Sequence, residues 1–240
     1  MKKVALIVGG SGGIGKYLVK VFSEAGNFVV FTYNHGEEQA NALLDKYSGT
    51  FAIRVDSTKE EDIEECIRYI KNEYGSLDII VYAAGVFEDA LVNNTQLDSW
   101  NRVLSINLTA PFLYAKYGIE LLRKSGNGRF VCIGSVMGDL GTYGSCSYAA
   151  SKAGLIGLVK SIALENARYG VTANVVSYGY IDAGMTNQVP DNVLEAAKKK
   201  IPMQRLGNPV DAARIVLDIC QEHCNYISGQ VIRNNGMMYV

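Results

Sequence analysis

Five of the seven residues from Gly9 to Gly15 are glycine, in the order Gly-Gly-Ser-Gly-Gly-Ile-Gly. They join an apolar run at residues 3–8 (KVALIV) to a helical pattern over residues 13–25 that stops at Gly26. The run reads as a strand buried on both faces. Backbone amides come close to an anionic group only where no Cβ intervenes. The helix that follows adds unpaired N–H groups and the positive end of its dipole. Such a junction suits a pyrophosphate, and Gly9, Ser11, Gly12, Gly13, Ile14 and Gly15 are the candidates to hold it. The spacing is G-x-x-x-G-x-G and not the commoner G-x-G-x-x-G. Tight turns also use glycine, so the weight of the motif lies in its place directly after the first strand.

The same alternation continues along the chain. β-Branched and aromatic runs predict strands at 28–33, 50–55, 78–82, 129–134 and 171–177, with a short one at 230–232. Helical spacing predicts helices over 37–47, 59–74, 97–124 and 148–168, and another starting near Pro209. Strands alternating with helices across short joins predict an α/β fold, a Rossmann-type doubly wound parallel sheet. Nothing divides the chain, so residues 1–240 are expected to form one domain. The stretch 182–204 has the weakest periodicity. It carries Gly184, Pro190 and Pro202 and is a candidate substrate lid.

Composition excludes several classes. A formal net charge of -1 gives no global basic field for nucleic acid or an anionic membrane. No apolar stretch reaches the ~20 residues needed to cross a bilayer. The N-terminal apolar run leads into the glycine loop and not into a cleavage site. The five cysteines, Cys66, Cys132, Cys146, Cys220 and Cys224, are odd in number and form no CxxC. That argues against a disulfide framework or a zinc site. The two histidines, His35 and His223, lie far apart, and no metal is expected. The chain reads as a reduced, cytoplasmic protein.

Tyr148 and Lys152 are four residues apart at the start of a predicted helix and share a face. A phenol of pKa about 10 is a poor acid–base group at neutral pH. A cation held beside it stabilises the phenolate and lowers that value. Fifteen tyrosines make one such pair weak on its own. Ser135, thirteen residues earlier, sits where the RFVCIG strand ends, at the edge where α/β sheets bind ligands. Asn107 lies inside a predicted helix, where asparagine is mildly unfavourable. It reads either as a solvent-facing or packed asparagine or as the holder of a relay water.

With these residues in view, the chain resembles the classical short-chain dehydrogenases/reductases over essentially its whole length. VGGSGGIG, SINLTAPF, the strand end IGS and SYAASKAGL match that family's glycine motif and its Asn-Ser-Tyr-Lys tetrad in order and spacing. The resemblance implies Asn107, Ser135, Tyr148 and Lys152 as the catalytic set. SYAASKAGLIGLVKSIALE, IPMQRLGNPVDAA and ISGQVIRNNGMMYV look most like the 3-oxoacyl-carrier-protein reductases. That likeness implies a homotetramer, NADPH as the usual donor, and an acyl substrate on acyl carrier protein. Three positions depart from the pattern. Val8 replaces a threonine, Tyr82 replaces the first asparagine of Asn-Asn-Ala-Gly, and Tyr178 replaces a proline before Gly179.

The second strand ends in Thr32-Tyr33-Asn34-His35 without an acid, which favours NADPH over NADH, because a carboxylate would repel a 2′-phosphate. No Lys or Arg stands there to bind that phosphate, so NADH stays open as well. Tyr33, Asn34 and His35 join the candidate cofactor residues. Asp56 reads either as an acceptor for the adenine amine or as the cap of a turn. Ser57, Ala84, Gly85 and Gly179, with Tyr148 and Lys152, extend the cofactor set, and the resemblance adds Ile181 and Thr186. Arg123, Lys124 and Arg168 read either as a dock for an acidic carrier or as ordinary solvated helix ends. The small residues Ala149, Ala150, Ala153, Gly154 and Gly157 allow close helix packing. Three readings remain: a 3-oxoacyl-carrier-protein reductase, a reductase of another small ketone or alcohol, and a non-catalytic nucleotide binder.

Overall fold

In β1 (Val4–Val8) every side chain is buried, and alternate residues serve opposite faces of the sheet. Val4, Leu6 and Val8 pack with α3 (Glu60–Tyr74), α5 (Ala110–Lys124) and α7 (Cys146–Asn166). Ala5 and Ile7 pack with α1 (Gly15–Glu24), α2 (Glu37–Lys46) and α9 (Pro209–Ile219). This two-sided burial is what a parallel sheet requires, because its crossover helices cover both faces. The computed structural model describes residues 2–239. The remaining strands are β2 (Phe28–Tyr33), β3 (Thr50–Arg54), β4 (Ile79–Tyr82), β5 (Arg129–Ser135), β6 (Thr172–Tyr178) and β7 (Val231–Asn234). All pairings are parallel, and the order is β3-β2-β1-β4-β5-β6-β7. The fold is the single-domain, Rossmann-type doubly wound sheet expected from the sequence. Its strand order reverses between β1 and β4.

Local chemistry explains the element ends. Asn208 caps α9, its Oδ1 accepting from the amides of Val210 (2.8 Å) and Asp211 (3.2 Å), with Pro209 in the first turn. In α7 the buried residues Ser147, Ser151, Leu155, Val159 and Ile162 form one stripe. Its apolar part lies in the core, and its polar N-terminal part reaches the carboxyl edge of the sheet.

The helix expected over 97–124 is interrupted. α4 (Leu97–Leu104) passes into a π turn at Ser105–Thr109 before α5 begins. The turn inserts a residue without ending the helix, so apolar spacing alone could not reveal it. Tyr82, at the end of β4, is fully buried and donates its hydroxyl to the Ile106 carbonyl inside this turn. Its ring lies 5.8 Å from that of Tyr114. The departure at Tyr82 therefore supplies a partner for a carbonyl that the π turn frees. Further corrections concern 136–141 and 182–204. A short helix, α6 (Met137–Leu140), follows Ser135, and the weakly periodic stretch holds a 3₁₀ turn at Gly184–Gln188 and α8 (Asp191–Lys200).

Replacing Tyr82 with Phe keeps the ring and strands the Ile106 carbonyl. The unfolding free energy is expected to fall by about 1–2 kcal/mol. Urea denaturation followed by circular dichroism measures it, and an unchanged midpoint would mean that the carbonyl finds another donor.

Candidate active site

The glycine loop leaves the end of β1 and is tied to β2. Gly9 N donates to Thr32 Oγ1 (3.0 Å) and Gly10 N to the Thr32 carbonyl (2.9 Å). Gly15 does not line the cavity; it lies beneath the loop, where a Cβ would stand 2.0 Å from the Gly9 carbonyl oxygen. On the outer side, a Cβ at Gly13 would stand 2.2 Å from Gly184 Cα. The glycine loop and the turn after β6 thus touch backbone to backbone. No side chain is tolerated at either crossing.

Beside this loop opens a cavity of about 760 Å³ at the carboxyl ends of the strands, around the reversal between β1 and β4. Gly9, Ser11, Gly12, Gly13 and Ile14 line one end, with Tyr33, Asn34, His35, Asp56 and Ser57. Ala84, Gly85, Ser135, Tyr148, Lys152, Gly179, Ile181 and Thr186 line the other. Of the catalytic and cofactor candidates from the sequence, Gly15 and Asn107 alone stand outside its wall. The lining also includes Arg102 and Ile106, one helical turn apart on the α4–π segment, and Met185 in the turn after β6. The sequence offered no signal for these. Asp56 does cap a turn, Oδ1 accepting from the Thr58 amide (3.0 Å) and hydroxyl (2.7 Å). Those bonds hold its carboxyl below the usual range, and it lines the cavity as well.

Ser135 is the last residue of β5, and its Oγ accepts from the Met137 amide (3.2 Å). Tyr148 and Lys152 stand on the first turns of α7, with Lys152 Nζ 5.7 Å from the Tyr148 ring centre. The Phe87 ring packs edge-on against Tyr148 at 6.5 Å. Lys152 is buried, and its Nζ donates to the Ile133 carbonyl (2.8 Å). Burial pulls its pKa down to about 8. Burial also raises the Tyr148 phenol, with the Ser135 hydroxyl pulling the other way. Desolvation sets the direction for Tyr148 in this site, and the group that opposes it is the Ser135 hydroxyl.

Asn107 is fully buried and acts as a clamp. Its Oδ1 accepts from the Val86 amide (2.9 Å), and its Nδ2 donates to the Val86 carbonyl (2.8 Å) and to Ser151 Oγ (3.1 Å). Ser151 in turn donates to the Tyr148 carbonyl (2.7 Å). Of the two readings of Asn107, the packed one describes these contacts. They lace the segment after β4 to the first turns of α7. A Cβ on Gly85 would lie within 4 Å of Asn107 Oδ1, Lys152 Nζ and Met185 Cε, where three elements converge.

The basic candidates stand at helix ends away from the cavity. Arg123, Lys124 and Arg168 lie at the ends of α5 and α7, which run back to the amino edge of the sheet, opposite the cavity. Arg123 is engaged there with Glu120 (2.6 Å) and Asn166 (2.8 Å). Gly154 packs within the chain, since a Cβ there would meet the Leu108 side chain at 2.7 Å, whereas Gly157 faces open space. All five cysteines are free thiols. Cys66, Cys132 and Cys220 are buried, and Cys146 and Cys224 are partly exposed. No helix among the described residues is long and apolar enough to cross a membrane.

A glycine cradle at the strand-order reversal, with Ser, Tyr and Lys along one wall, defines a nucleotide-dependent oxidoreductase of the α/β class. Residues 9–237 match the profile described as enoyl-(acyl carrier protein) reductase, and the chain belongs to the short-chain dehydrogenase/reductase family. Members of that family are NAD(P)-dependent oxidoreductases acting on CH–OH and C=O groups. Within it the chain is similar to the 3-oxoacyl-[acyl-carrier-protein] reductase FabG of Buchnera aphidicola, at 35% identity over 100% of this chain and 98% of the relative. The Aquifex aeolicus FabG is 35% identical over 99% of this chain and 97% of the relative. The Vibrio cholerae FabG is 36% identical over 99% and 98%. A crystal structure of a dehydrogenase/reductase from Sinorhizobium meliloti superposes with a TM-score of 0.93 at 31% identity, covering 99% of this chain and 95% of that one.

A buried lysine with a lowered pKa makes a signed prediction. The unfolded chain holds this proton up to about pH 10.5 and the folded, cofactor-free protein only to about 8. Folding therefore expels a proton between those values, and the cost of burying Lys152 is full below pH 8 and fades by pH 10.5. Lys152→Met is expected to be more stable than wild type at pH 7, by up to about 3 kcal/mol. The gap should close as pH rises through 8 to 10.5. Denaturant titrations of both proteins across that range would expose the error if the gap stayed constant.

Proposed function

We propose that the protein reduces a 3-oxoacyl thioester, carried on acyl carrier protein, to the 3-hydroxyacyl thioester, with NADPH as donor. The observation that carries this reading is the convergence of Ser135, Tyr148 and Lys152 on one wall of a cavity whose far end is a glycine cradle. The cradle fits a dinucleotide, because its glycines leave the space and the amides that a pyrophosphate needs. Gly12, Gly13 and Ile14 would hold the phosphates, Asp56 and Ser57 the adenine, and Tyr148 and Lys152 the nicotinamide ribose. Ile181 and Thr186 would meet the carboxamide end. Tyr33, Asn34 and His35 would meet the ribose that distinguishes the two cofactors, and the absence of an acid among them supports NADPH.

When bound, the dihydronicotinamide supplies a hydride to the ketone carbon. Ser135 and Tyr148 hydrogen-bond the carbonyl oxygen, where negative charge builds. Tyr148 then gives its proton to the alkoxide. Its raised pKa suits this direction, since the phenol keeps its proton at neutral pH until the alkoxide forms. Lys152, held by the Ile133 carbonyl, stands behind the phenol to stabilise the phenolate left by transfer. Asn107 holds the frame of this wall. The protein is expected to be cytoplasmic. It is also expected to act as a homotetramer, and exposed Phe112 on α5 and Leu164 on α7 (83% exposed) support burial against a second copy.

Acetoacetyl thioester should drive oxidation of NADPH, and Tyr148→Phe should lower turnover by at least about 100-fold while leaving cofactor binding intact. If thioester gives no oxidation while NADPH still binds, the substrate assignment fails and a panel of small ketones and alcohols becomes the next test. Asn34→Asp places a carboxylate beside the ribose. The ratio of NADPH to NADH turnover should then fall about tenfold, by repulsion of the 2′-phosphate.

A further inference from the structure

We infer that Asp139, held by Arg233, is a positioning residue: the pair ties the short helix after Ser135 to the edge strand β7 and so fixes the wall that carries Ser135 and Lys152. The inference rests on the reductase reading above for its effect on turnover, though not for its structural part.

Asp139 lies in α6, and its Oδ1 is 3.0 Å from Arg233 Nη2 on β7, ninety-four residues later. Its side chain is 10% exposed, whereas every other ion-paired carboxylate among the described residues is at least 29% exposed. Its second oxygen, Oδ2, is buried with no partner. A carboxylate in that setting depends on its one cation, because loss of the cation leaves a buried charge uncompensated. The geometry around α6 shows what the pair restrains. Ser135 Oγ takes the Met137 amide at the start of α6, and the Val136 amide bonds the Tyr178 carbonyl on β6 (2.9 Å). One residue before Asp139, a Cβ on Gly138 would stand 2.8 Å from the Lys152 carbonyl carbon and 2.9 Å from the Ala153 amide. α6 is therefore pressed directly on the backbone of α7 at Lys152. It has only four residues and cannot hold itself by helical hydrogen bonds alone. The ion pair supplies the anchor on the opposite side. Arg233 is itself steadied by the Tyr239 ring, 4.9 Å away, which brings the C-terminal segment into the same chain of contacts.

The test compares full-length wild type with Arg233→Ala, Asp139→Asn and Arg233→Lys. Hydrogen exchange at the amides of residues 136–141 is read by mass spectrometry without substrate. NADPH-dependent thioester reduction then gives kcat and KM. Arg233→Ala and Asp139→Asn should each speed exchange at 136–141 and lower kcat about tenfold, with KM and the NADPH dissociation constant within about twofold of wild type. Arg233→Lys keeps the charge and should keep both readouts near wild type. The inference is overturned if faster exchange is confined to β7 and the tail with kcat unchanged. It is also overturned if Arg233→Lys is as impaired as Arg233→Ala. Should Arg233→Ala fail to fold, the contrast between Asp139→Asn and Arg233→Lys decides. If wild type turns over no thioester, the reductase reading fails separately, and hydrogen exchange still decides whether the pair holds the wall.

Discussion

A parallel sheet can be covered on both faces only if its crossovers part at some point, and here they part between β1 and β4. That parting opens a crevice at the carboxyl edge, and every functional element described above is a response to it. The glycine loop fills one lip with backbone in place of side chains. β5 and α7 bring Ser135, Tyr148 and Lys152 to the other. The crevice follows from the connectivity, and the chemistry follows from which residues the strand ends carry into it.

Placing polar groups in that crevice has a cost, and the molecule meets it with specific partners. Lys152 has the Ile133 carbonyl, Asn107 has both backbone groups of Val86 as well as Ser151, and Ser151 has the Tyr148 carbonyl. These bonds cross from β5 to α7 and from the β4 end to the π turn. Each one that satisfies a buried group also fixes the spacing between two walls. The π turn belongs to this network. It presents the Asn107 amide toward Val86 and leaves the Ile106 carbonyl for the Tyr82 hydroxyl.

The sequence made the local part of this arrangement legible. Apolar runs marked the strands, the glycine loop marked its own place, and the four-residue step from Tyr148 to Lys152 marked a shared helical face. What was not legible depended on contacts distant in the chain. Asn107 gave no hint whether it held water or backbone, because its partners lie 21 and 44 residues away. The π turn keeps the chain helical and gives no stop signal, and α6 is too short to carry a period. α8 was obscured by the prolines on either side of it. Arg123, Lys124 and Arg168 were recognisable as basic helix ends. The direction in which those helices run, and hence the edge of the sheet they reach, emerged only with the topology.

The thiols carry a practical consequence. Burial pushes Cys66, Cys132 and Cys220 up to about 12, so they hold their protons at any ordinary working pH. Alkylation and oxidation proceed through the thiolate, and these three are shielded twice over, by protonation and by lack of access. Maleimide dyes would therefore mark Cys146 and Cys224 and spare the core. Cys146 is the first residue of α7 and sits two positions before Tyr148. With Cys224 replaced by serine, a single fluorophore would report from the N-terminal end of α7 beside the cavity in an otherwise native chain.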